Sequence, residues 1–95
     1  MRRDADFFGD RDVTLVYIAK RLSEAKRVEA LFTEAGIDYG VEADQYFGGF
    51  VFQRVRIGAF FYVLPPAAEA ARLALSRGGY RPHRAGDSPG DRTAS

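Results

Sequence analysis

A chain of 95 residues is one domain, and at that size it buries only about 60% of the surface its unfolded form exposes, so its stability is marginal. It has no cysteine and a single histidine, which excludes disulfides, thiolate catalysis and Cys- or His-cluster metal sites and leaves oligomerisation as the stabiliser open to it. Fourteen Lys and Arg against 13 Asp and Glu argue against bulk capture of nucleic acid. No apolar run approaches the ~20 residues of a membrane span. No apolar stretch follows Met1-Arg2-Arg3 as a signal peptide would require; with the missing cysteines, this points to the cytoplasm.

Residues 1–12 carry four Asp and three Arg around Phe7-Phe8 and read as a polar lead-in with an aromatic anchor. Val13 to Ala19 is rich in β-branched and aromatic residues and predicts a strand apolar on both faces. Ser23 is the expected N-cap of the next helix, with Glu24 in its first turn. Ala25, Val28, Leu31, Phe32 and Ala35 then recur at helical spacing, and Gly36 suits the left-handed exit. Ile37, Tyr39 and Val41 alternate with polar residues as a half-buried strand.

Between Asp44 and Gln53, Tyr46, Phe47, Phe50 and Phe52 crowd around Gly48-Gly49; the expectation is a hairpin turn whose aromatics pack on the sheet. Val55 to Leu64 alternates as a long strand, stopped by Pro65-Pro66. Ala67 to Arg77 follows as a helix with a small-residue face of Ala67, Ala70, Ala71, Ala74 and Leu75, closed by Gly78-Gly79. Residues 81–95 lack any apolar side chain larger than Ala and read as a disordered tail. The folded domain is thus 13–80.

The order βαββα predicts an α+β two-layer sandwich, with two helices on one face of a three-stranded sheet of order 1-3-2. That is a ferredoxin-like fold without its last strand. Val13–Ala19 would then be an open edge. Phe60, Tyr62 and Leu64 would form an exposed apolar patch, the mark of an interface. A homodimer through the sheet face or the first-strand edge is the expected assembly.

Thr14 to Ile18, the helix exit Leu31-Phe32-Thr33-Glu34-Ala35-Gly36-Ile37, and Val63-Leu64-Pro65 before the alanine-rich helix carry a resemblance. Over roughly residues 13–78 the chain resembles a small bacterial family of unknown function described as prokaryotic signal-transducing proteins. The resemblance implies a βαββα fold related in outline to nitrogen-regulatory PII proteins, and no catalytic residue. The aromatic Asp44–Arg54 insert departs from what the family implies.

Other chemistry reads weakly. Asp38, Glu42 and Asp44 stand at alternate positions where a cation or an acid/base pair could use them, but a solvated strand face is the preferred reading. Lys20, Arg21, Lys26 and Arg27 flank a helix start that could hold an anion; an ion-paired helix face is the plainer reading. Arg54 and Arg56 beside Phe50, Phe52, Phe60 and Tyr62 raise a single-stranded nucleic-acid alternative, with only a fragment of the ribonucleoprotein pattern behind it. His83, between Pro82 and Arg84, lacks a positioned partner for catalysis. The favoured reading is a non-enzymatic regulatory or interaction module, homodimeric, taking a small-molecule ligand at most and no cofactor, metal, membrane or nucleic acid. A carboxylate-based enzyme ranks last.

Overall fold

The computed structural model describes residues 1–3, 8, 9, 12–48 and 54–83. The elements are β1 (Thr14–Ala19), α1 (Leu22–Glu34), β2 (Gly40–Gly48), β3 (Arg54–Val63), a 3-10 turn (Pro65–Ala67) and α2 (Ala68–Arg77). The strands lie in the order β1-β3-β2 and both pairings are antiparallel. The expected α+β sandwich of βαββα order is the one observed.

The apolar stripe of α1 is buried at Ala25, Val28 and Phe32. Its start differs from expectation. The helix begins at Leu22, Arg21 is the N-cap, and no side chain caps it there. Glu24 does the capping from inside the first turn: its Oε1 accepts the Lys20 amide at 2.9 Å, which satisfies a backbone donor just ahead of the helix. Both helices leave through the same device. Gly36 (φ 72) and Gly79 (φ 88) adopt left-handed backbone. The next amides, of Ile37 and Tyr80, donate back to the Phe32 and Leu75 carbonyls, each at 2.9 Å, as in a Schellman exit. In α2 the buried face is Ala68, Ala71 and Leu75, with Ala67 and Ala74 packed at its margin. Ala70 is exposed, because Pro65–Ala67 form the 3-10 turn and the α-helical phase starts at Ala68.

Between helices and sheet, Phe32, Tyr39 and Phe61 pack as three rings with centroids 5.4–5.9 Å apart. All three are at most 2% exposed. The Tyr39 hydroxyl donates to Glu29 at 2.9 Å. Burial first, and that carboxylate second, push the phenol up to about 12.

The period of β1 is not the simple alternation its sequence suggests. Thr14 and Leu15 face Val63 and Tyr62, but Tyr17 faces Phe61, so the register slips by one at Val16. This β-bulge gives two residues of β1 one partner on β3. It lets Val16 be fully buried while Tyr17 also packs on the helix-side core. Leu15 and Ile18, opposite Tyr62 and Phe60, take the other face.

Two expectations about the sheet's surfaces are corrected. Phe60 is not part of an exposed patch: it is 4% exposed, while Tyr62 and Leu64 are half-buried. The ring of Phe8, itself buried, lies where a Cβ on Gly40 would meet it at 2.7 Å. Gly40 pairs with Tyr62, so Phe8 is on the Tyr62 and Phe60 face. Among the described residues, Phe8 and Phe60 are the buried apolar side chains outside the helix-side cluster. Nor is β1 a bare edge: the His83 amide donates to the Val16 carbonyl at 2.6 Å. Tyr80 sets its ring edgewise on Tyr17, 5.6 Å between centroids and 71° between planes. Residues 84–95 of the expected tail lie outside the described residues.

Candidate functional site

The feature that stands furthest from an ordinary two-layer domain is the hairpin of β2 and β3. Pairing with β1 runs out at Ala19 opposite Ala59. Beyond it, β2 and β3 continue alone from Asp44 opposite Gly58 to Gly48 opposite Arg54. Five pairs at about 3.4 Å per residue make an arm of about 17 Å. At its root Ala43 and Asp44 are exposed, and Ile57 is 67% exposed. The register places Tyr46 opposite Arg56 and Phe47 opposite Val55, so four of the residues singled out from sequence as a partner surface belong to this arm: Tyr46, Phe47, Arg54 and Arg56. Phe50 and Phe52 lie outside the described residues. Asp44, expected at the start of the turn, is in strand because the ladder to β3 runs unbroken through it.

Among the described residues, the outer edge of β2 meets another segment only at its foot. At its foot the Tyr39 amide donates to the Met1 carbonyl at 3.0 Å and the Tyr39 carbonyl accepts the Arg3 amide at 2.7 Å. This short parallel bridge is tied down by Arg3 on Asp38 at 3.2 Å and by the Met1 amine, which donates to the Ile37 carbonyl. Since Tyr39 turns its backbone groups away from β3, strand alternation turns those of Val41, Ala43, Gln45 and Phe47 the same way. Among the described residues, nothing outside the sheet bonds to these four. Among the described residues, the longer edge without a partner is therefore β2 rather than β1. The order 1-3-2 makes both outer strands edges, and that was the signal available in the sequence.

A second feature lies at the β1–α1 junction. Arg21, Ser23, Glu24, Arg27 and Tyr80 line an open depression of about 300 Å³. Glu24 is engaged there twice. It takes the Lys20 amide on one oxygen and the Tyr17 hydroxyl on the other. Burial first, and then Glu24, raise the Tyr17 phenol far above its ordinary value. Of the expected anion-binding residues, Arg21 lines the depression. Lys20 contributes its backbone amide to Glu24, and Lys26 is not among the lining residues.

The remaining candidates separate. Asp38 serves the N-terminal segment, pairing with Arg3 and the Met1 amine. Glu42 and Asp44 are exposed on β2, close enough that, after burial, their charges raise the Tyr62 phenol. Among the described residues no group of three His, Cys, Asp or Glu could hold a metal ion, and no helix is long and apolar enough to cross a membrane. Comparison with known proteins finds no match among family models, curated proteins or solved structures.

Proposed function

We propose that this chain is a non-enzymatic regulatory or interaction module that works as a homodimer, assembled through the open edge of β2. The observation that carries this reading is the run of outward backbone groups at Val41, Ala43, Gln45 and Phe47 on a strand that continues past the end of β1. An unpaired edge of that length is a template for another strand, and strand addition is a recurrent mode of recognition. A two-stranded ribbon is marginal in water by itself, and a third strand with an apolar face stabilises it. The resemblance of residues 13–78 to prokaryotic signal-transducing proteins points the same way, as does the scarcity of other stabilisers in a cysteine-free chain. A small anionic ligand at the Arg21, Arg27 and Tyr80 depression is the effector the module would sense. A cytoplasmic setting suits its composition. The nucleic-acid alternative gains nothing from the sheet face, where Phe60 is buried and offers no ring to stack on.

Light scattering on the full chain at micromolar concentration tests the assembly. The expected mass is that of two chains. Ala43→Pro is the informative variant. The Ala43 amide faces the open edge, so proline there leaves the β3 ladder intact and removes a donor the second copy needs. The expected result is a monomer with an unchanged circular dichroism spectrum. A monomeric wild-type protein overturns the reading.

A further inference from the structure

The arm carries its charges unevenly. Its root on β2 bears Glu42 and Asp44, both exposed. Nearer its tip, Arg54 and Arg56 occupy the β3 positions opposite Gly48 and Tyr46. One end of the arm is thus acidic and the other basic. Parallel alignment of two such arms would set like against like. Antiparallel alignment about a twofold axis sets the acidic root of each against the basic tip of the other.

Backbone parity narrows the register. Val41, Ala43, Gln45 and Phe47 present their polar groups outward, so a second β2 strand must oppose odd positions to odd positions for each pair to exchange both hydrogen bonds. With the axis at Ala43, Glu42 of one copy falls opposite Asp44 of the other. With the axis at Asp44, the two Asp44 residues face each other. Like charges directly opposite are destabilising in a sheet. With the axis at Gln45, Glu42 falls opposite Gly48 and Asp44 opposite Tyr46, the positions flanked on β3 by Arg54 and Arg56. Moving the axis further out shortens the ladder.

We infer that two copies of the chain pair antiparallel through β2 about an axis at Gln45, with Glu42 and Asp44 of each arm set against the Arg54 and Arg56 end of the other. This rests on the homodimer reading above and specifies its geometry and its charge code. Gln45 pairs with its own counterpart and Ala43 with Phe47 twice, which gives about six backbone hydrogen bonds in one continuous six-stranded sheet. The charge pairs set register and direction more than raw strength, as exposed ion pairs do.

Two variants test it. Arg54→Glu with Arg56→Glu makes the arm acidic throughout; Glu42→Lys with Asp44→Lys makes it basic throughout. Each alone is expected to raise the dimer dissociation constant at least about tenfold, a cost of about 1.4 kcal/mol. The two mixed in equal amounts are expected to re-form a dimer containing one of each, seen by light scattering and by native mass. Rescue on mixing also shows that each variant is folded. The wild-type dimer should weaken as salt is raised. A wild-type dimer that neither variant weakens overturns this geometry and leaves the homodimer standing on another surface. Two monomeric variants that stay monomeric when mixed also overturn it. A monomeric wild type overturns the underlying reading instead.

Discussion

Where β3 passes residues 59–63 it has β1 on one side, β2 on the other and the helices above it. Where it passes residues 54–58 it has β2 alone. The same strand therefore belongs to two regimes. In the body, Phe61 and Val63 are fully buried, and apolar burial supplies the stabilisation. In the arm, Ile57 is two-thirds exposed, and the described stabilisation is the hydrogen-bonded ladder to β2. A single strand thus anchors a packed core at one end and half of a two-stranded arm at the other. The core does not depend on what the arm meets.

Three substitutions sharpen that contrast. The largest effect is expected from Phe32→Ala, which empties the centre of the three-ring cluster. It should cost about 3–5 kcal/mol, read as a lowered urea midpoint, a large share of the stability of a small domain. If Phe32→Ala costs less than about 1 kcal/mol, the body is not held by this core.

Tyr39→Phe comes next. It keeps the ring and removes the bond to Glu29, at a cost of about 1 kcal/mol. It also makes a pH signature. A phenol whose folded pKa stands near 12 against an ordinary 10.0 contributes stability that is fully present below pH 10 and lost as pH rises toward 12. Wild type should therefore lose stability over that window. Tyr39→Phe should lose less, and equal alkaline slopes for the two would contradict the assignment. The smallest effect belongs to the arm. Ile57→Ala should change the unfolding free energy by no more than about 0.5 kcal/mol, measured where the protein is monomeric. A cost of about 2 kcal/mol would show that the arm is packed in the folded monomer.

Periodicity made the body legible and left the arm and the terminal contacts obscure. Ala25, Val28 and Phe32 report a helix face because burial on one side of α1 imposes the spacing that appears in the sequence. The Gly36 exit is equally local. The bulge at Val16 is a tertiary matter: nothing in Val-Thr-Leu-Val-Tyr-Ile-Ala says that two residues will share one partner, so strict alternation parts Leu15 from Ile18 and Val16 from Tyr17, pairs that share a face in the structure. Asp44 and Gly48 have low strand propensity, and only the match to β3 overrides it. Phe8 reaches Gly40 across some thirty residues of chain. The trace it left was a glycine inside an alternating strand, which signals close approach of another group.

The bulge of β1 also bears on how large an assembly can grow. Pairing through β2 would put β1 at the outer margins of the body of the joined sheet, with β3 outermost along each arm. A straight incoming strand would meet there a broken spacing at Val16 and a carbonyl already taken by the His83 amide. Growth by further strand addition at β1 would thereby be discouraged. A dimer formed as proposed would then close at two chains instead of extending into a fibre, and the irregularity that disrupts the strand's pattern would set that limit.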